Sequence, residues 1–163
     1  MLELRIGQAI HPVAATRYLP ASLIELEITE SALMEDPEEA VRLLRSLRAA
    51  GLSLSIDDFG TGYSSLAYIS KFPISKLKVD RSFVRDLGSD TADAAVINAV
   101  IAMGHSMGLS VIAEGVETIA QLDYLRGRGC DEAQGFLFSP AVPAAEFIAT
   151  VRRMDGGADP ATP

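Results

Sequence analysis

The sequence predicts an α/β fold of parallel strands, and three observations carry that reading. Apolar runs of strand length alternate with runs of helix length, about five times along the chain. The strand-like runs end in acids or amides, and the helical runs end at glycines such as Gly51, Gly108 and Gly129. No linker or internal repeat divides the 163 residues, and a hydrophobic content of 48% suffices for one real core. Strand–helix alternation of this kind implies right-handed crossovers. Two architectures stay open, a doubly wound sheet and a (β/α) barrel. No G-x-G-x-x-G follows a strand, which weakens the dinucleotide-binding version of the first.

The elements follow in order. Residues 1–22 form an N-terminal segment that reads weakly as helix, interrupted near Gly7 and Pro12. Residues 23–28 alternate strictly: Ile24, Leu26 and Ile28 face one way, Glu25, Glu27 and Thr29 the other. Asp36 has the character of an N-cap, with Pro37 at the first helical position and Glu38 and Glu39 in the first turn. Val41, Leu43, Leu44 and Leu47 give that helix its apolar stripe. A second strand, residues 52–57, stops at the paired acids Asp57 and Asp58. Gly60 and Gly62 then allow a sharp turn, and Ser64 and Ser65 offer caps for a short helix ending before Pro73. Lys76, Lys78 and Asp80 share one face of a third strand. A long helix over residues 90–107 is followed by a strand over 110–113. Thr118 caps the next helix, and a last strand spans 132–138 with Gln134 and Gly135 inside it. Pro143 opens a final helix reaching Met154, and residues 155–163 read as a disordered tail.

Composition excludes several function classes. A formal charge of −8 and a pI near 4.7 argue against a surface for nucleic-acid polymer or anionic membrane. An anionic ligand would need a metal or local cations. One cysteine, Cys130, excludes an internal disulfide framework and suits a reducing compartment. No apolar run approaches membrane-spanning length and no signal peptide follows Met1, so a cytoplasmic location is expected. His11 and His105 lack a partner pattern and read as structural, and Cys130 reads as a small packed apolar residue.

The chemistry-bearing residues fall at strand ends. Glu27 and Glu30 close the first strand, Asp57 and Asp58 the second, Lys78 and Asp80 the third, Glu114 and Glu117 the fourth, and Gln134 lies in the fifth. Parallel α/β folds bind ligands at that end. Several carboxylates at one rim repel one another unless a cation intervenes, and a hard ion with oxygen ligands, Mg²⁺ or Mn²⁺, is the natural one. Plainer readings stand beside these: a capped turn for Asp57 and Asp58, a solvated strand lysine for Lys78, a helix N-terminal acid for Glu117 and a satisfied backbone group for Gln134.

Five segments in order carry a resemblance: Glu27-Ile28-Thr29-Glu30, Asp57-Asp58-Phe59-Gly60-Thr61-Gly62-Tyr63-Ser64-Ser65-Leu66, Lys78-Val79-Asp80-Arg81-Ser82-Phe83, Ala113-Glu114-Gly115-Val116-Glu117 and Gln134-Gly135-Phe136. Together they resemble the successive motifs of the EAL domain, a family of bacterial phosphodiesterases that linearise cyclic di-GMP. The resemblance implies an incomplete TIM-type (β/α) barrel of about five parallel βα units over residues 23–154. It implies Glu27, Asp57, Asp58 and Glu114 as ligands of a two-metal Mg²⁺ or Mn²⁺ site, and Lys78 and Glu117 as catalytic. Gln134 and Asp80 would contact substrate, and Glu30 would anchor the Asp57 loop. It also implies a homodimer through the loop 57–66, and the open edge of an unclosed sheet is the alternative surface. The family's Glu-Ala-Leu and an upstream Asn, both metal ligands, have no counterpart here; the only Asn is Asn98, inside the long helix. The expectation is therefore a fragment or truncated relative with weak or absent turnover. The alternative is a non-catalytic module that binds cyclic di-GMP or a protein partner.

Overall fold

The computed structural model of the protein describes residues 20–61, 66–87 and 91–155. The chain divides into two compact units, Met1–Leu77 and Lys78–Pro163. Among the described residues five strands alternate with helices, as the α/β class requires. The expectations for residues 1–19, for Ser64 and Ser65 and for residues 156–163 lie outside the described residues.

In the first unit a 3₁₀ turn, Ala21–Leu23, precedes β1, Glu25–Thr29. The strand starts later than residue 23 because Ile24 N–H donates to Ala21 O at 3.0 Å and closes the turn. β1 pairs in parallel with β2, Ser53–Phe59, from Glu25 opposite Ser53 to Thr29 opposite Asp57. Paired residues share a face and the side-chain period is two. Glu27, Ser55 and Asp57 therefore lie on one face, and Leu26, Ile28, Leu54 and Ile56 on the other. The second strand runs on to a buried Phe59, so Asp57 and Asp58 sit within its last turns of pleat rather than beyond it.

Helix α1, Glu30–Glu35, was not legible in the sequence. Six residues show no helical periodicity, and Thr29 supplies no side-chain cap. Helix α2, Pro37–Ala49, carries the expected signals: Glu39 N–H donates to Asp36 Oδ1 at 3.0 Å, and Pro37 stands in the first turn. Ala40 and Leu44, four residues apart, are its buried positions. Helix α3 is Leu66–Ile69, and Ser75 N–H then donates to Leu54 O at 3.0 Å, setting the start of β3, Lys76–Val79, beside β2. Leu33, Leu44, Leu52, Leu54, Ile56 and Ile69, each at most 1% exposed, form the core of this unit. Burial of a side chain of this size contributes about 1.5–3 kcal/mol.

The second unit begins within β3. Glu114 N–H donates to Val79 O at 3.2 Å, which aligns β4, Ser110–Ala113, with the end of β3. β4 pairs in parallel with β5, Glu132–Ala133. This last strand is two residues long, not seven, and Gln134 and Gly135 lie beyond it. The chain turns there instead, with Phe138 and Ser139 N–H both donating to Gly135 O. A short helix α4, Arg81–Arg85, follows β3 directly and was also missed. Helix α5, Thr91–Ser106, buries Ile97, Val100 and Ile101; helix α6, Ile119–Gly127, starts at a capping box of Thr118 and Gln121. Helix α7, Ala144–Asp155, takes in Asp155, which the sequence reading placed in the tail. No helix of the described residues is long and apolar enough to cross a membrane.

Candidate functional site

In the first unit, the end of β2 is held in an uncommon backbone shape. Asp58 has a φ of +54° and Gly60 one of +98°. Asp tolerates the left-handed region because its short polar side chain bonds locally. Asp58 N–H donates to Asp57 Oδ1 at 3.1 Å, and Asp58 O accepts the Thr61 hydroxyl at 2.9 Å. The turn is tied down from β1's side: Gly60 N–H donates to Glu30 Oε2 at 3.0 Å. Glu30 is 2% exposed, a buried acid at the first position of α1, where a helix N-terminus favours negative charge. Glu27 is exposed, and shares the Asp57 face through the parallel register.

In the second unit, Lys78 is 3% exposed, which rules out the solvated-lysine reading. Its Nζ lies 2.7 Å from Glu114 Oε1, and Gln134 Nε2 donates to the same oxygen at 2.8 Å. One carboxylate thus joins the end of β3 to the turn after β5. Asp80 sits one residue past β3 and caps α4, accepting Ser82 N–H at 2.9 Å and the Ser82 hydroxyl. Glu117 is exposed, with its backbone fixed: Glu117 N–H donates to Gln121 Oε1 at 2.8 Å.

Two glycines set the approach distances. A Cβ on Gly115, at φ +70°, would meet the Arg81 Cβ at 2.6 Å; one on Gly135 would meet Val116 O at 2.2 Å. The loop bearing Glu114 and Glu117 therefore packs flat against Arg81 on one side and the Gln134 turn on the other. Arg81, Glu114, Glu117, Gln134, Gly135 and Phe136 line a cleft of about 510 Å³.

Sequence reasoning missed Gln121, which is 7% exposed. Its Oε1 accepts Glu117 and Thr118 N–H, and its Nε2 donates to Val84 O at 3.0 Å. The signal was present as Thr-x-x-Gln before an apolar run. His105 is not partnerless, as the sequence suggested: its Nε2 lies 2.9 Å from Asp131 Oδ2. That oxygen also accepts Val111 N–H at 2.8 Å. Burial pushes the Asp131 carboxyl up, but the Val111 and His105 hydrogen bonds outweigh it and leave its pKa below the usual value. Burial raises the Cys130 thiol, which donates to the Glu132 carbonyl at 3.2 Å. His11 lies outside the described residues.

The family model described as the EAL domain matches residues 6–141. The cyclic di-GMP phosphodiesterase NbdA of Pseudomonas aeruginosa is 50% identical over 137 residues, 82% of this chain and 18% of that protein. The PaMucR phosphodiesterase in its c-di-GMP complex superposes with a TM-score of 0.83 at 42% identity, covering 86% of this chain and 57% of that one. The Klebsiella pneumoniae BlrP1 manganese and cy-diGMP complex at pH 6 gives a TM-score of 0.74 at 35% identity, over 83% of this chain and 34% of that one.

Proposed function

This chain belongs to the EAL domain family, and from that premise we propose that it carries part of a metal-dependent phosphodiesterase that linearises cyclic di-GMP. The observation that supports the reading best is the buried Lys78–Glu114–Gln134 network. A buried lysine at the end of a strand, beside a carboxylate and an amide, suits a reaction in which negative charge develops on phosphate. The reaction adds water across one P–O ester bond: phosphorus gains the hydroxyl, and the departing ribose oxygen takes up a proton.

Glu27, Asp57, Asp58 and Glu114 are all carboxylates, the donor chemistry that hard ions such as Mg²⁺ and Mn²⁺ prefer, and we assign them the metal-holding role. A bound divalent ion would supply Lewis acidity and a more acidic water. Lys78 offsets phosphate charge and holds the attacking water, and Glu117 stands beside the reacting group. Gln134 and Asp80 contact the nucleotide. Glu30 keeps the Asp57–Asp58 turn in shape through Gly60. The second reading is a module that binds cyclic di-GMP or a protein partner without hydrolysis. The chain works in the cytoplasm, with a second copy docking through the loop 57–66 or the edge of β1.

Incubation with cyclic di-GMP and Mn²⁺, followed by chromatography for the linear dinucleotide, tests the first reading. Asp57→Asn should lower product formation by about 10–100-fold or more, at least the cost of disturbing a metal ligand's supporting partner. Tight Mn²⁺ binding that survives this substitution would sink the metal assignment. Calorimetry showing binding without product would favour the second reading. Light scattering that finds only monomer would remove the second copy.

A further inference from the structure

We propose that Arg81 is a ligand-contacting cation that binds the uncleaved phosphodiester of the cyclic dinucleotide, an assignment that rests on the function proposed above. A cyclic dinucleotide carries two phosphodiester charges, and only one is at the reacting centre. The cleft of about 510 Å³ is lined by two acids, Glu114 and Glu117. Lys78 is already engaged by Glu114 at 2.7 Å. The second phosphate therefore needs another cation, and among the described residues that line the cleft Arg81 is the single one.

Arg81 is also prepared for that task. Its backbone is fixed at the first position of α4, directly after the Asp80 cap. Gly115 packs against it so closely that any Cβ would stand 2.6 Å from the Arg81 Cβ. Gln121 ties the far end of the same helix to the Glu117 backbone, through Val84 O at 3.0 Å and Glu117 N–H at 2.8 Å. The guanidinium, by contrast, is exposed and has no protein partner among the described residues, whereas the nearby Arg85 is paired with Asp86 at 2.9 Å. A fixed stem with an open planar fork is the arrangement that recognises a phosphate through two parallel hydrogen bonds.

Calorimetry with cyclic di-GMP and Ca²⁺ on the full chain tests the assignment, using Arg81→Met, Arg81→Lys and Arg85→Met. Arg81→Met should weaken binding about tenfold or more with an unchanged Tm. Arg81→Lys should restore part of the loss, and Arg85→Met should bind like the parent. Where turnover is measurable, KM should rise while kcat stays within about twofold, since the contact is to the phosphodiester that is not cleaved. A parent chain that binds cyclic di-GMP and an Arg81→Met chain that binds equally well would overturn the Arg81 assignment alone. A parent chain that does not bind at millimolar ligand would overturn both this assignment and the function beneath it.

Discussion

Lys78 Nζ stands 2.7 Å from Glu114 Oε1, joining residues 36 positions apart across β3 and β4, with the lysine 3% exposed. A buried pair of this kind contributes little relative to apolar residues, but removal of one partner strands the other. Lys78→Met should therefore destabilise the fold by about 3 kcal/mol or more. Lys78→Met with Glu114→Met should recover most of that. Urea unfolding of both variants measures it, and equal losses in the single and double variants would contradict the pairing.

Gly135 faces the Val116 backbone with no room for a methyl group. Gly135→Ala should push the Gln134 turn from the Glu114 loop, breaking the 2.8 Å contact between Gln134 and Glu114. The expected outcome is a loss of stability of about 2–4 kcal/mol, the range of overpacking joined to backbone strain. Thermal unfolding gives the first effect. Weakened cyclic di-GMP binding by calorimetry gives the second.

Glu30 holds Gly60 N–H from a buried position. Glu30→Ala leaves that donor without its acceptor, and amide hydrogen exchange at Gly60 should quicken at least tenfold. Glu30→Gln, which keeps a carbonyl oxygen, should lie nearer the parent. An unchanged exchange rate in Glu30→Ala would show that the turn holds its shape without this bond.

Asp131 has its carboxyl pKa held below the usual value in the folded chain. A lowered folded pKa means stability that is present above the unfolded pKa of about 3.9 and lost as pH falls through the folded value. Asp131→Asn should lower stability near neutrality and flatten the stability–pH curve below about pH 4, so that parent and variant converge at low pH. Denaturant titrations from pH 2 to 7 decide it.

Cys130 is shifted the opposite way by burial. Its thiol should react slowly with a disulfide reagent at pH 7–8, well below a free thiol of pKa about 8.5. The rate should climb only as pH passes the ordinary thiol range. Fast labelling at pH 7 would show an exposed thiolate.

Local chemistry was legible wherever neighbours in sequence decide the structure. Asp36 and Pro37 announced α2 because a cap and a fixed φ act within one turn. The strict alternation around Glu27 announced β1, because the period of a strand is two residues, whereas the face shared with Asp57 came from the parallel register. The five ordered motifs disclosed the family. Short pieces escaped: α1 and α4 have too few residues for a periodic pattern, and the expected seven-residue last strand ended at Ala133. The turn after it depends on the close approach of Gly135 to Val116, which no local rule contains.

Only tertiary structure decided which polar groups are buried and whom they meet. The motifs marked Lys78 as catalytic, but its burial and its bond to Glu114 follow from the alignment of β4 on β3. Gln121 meets Val84 and His105 meets Asp131 across separations that leave no periodic trace. The sequence by itself determined the longer elements, the alternating faces of β1 and the set of acids at the strand ends. The fold decided which of those side chains are held and by what, because an ion pair or a buried amide exists only where the folded backbone brings two distant residues within hydrogen-bond reach.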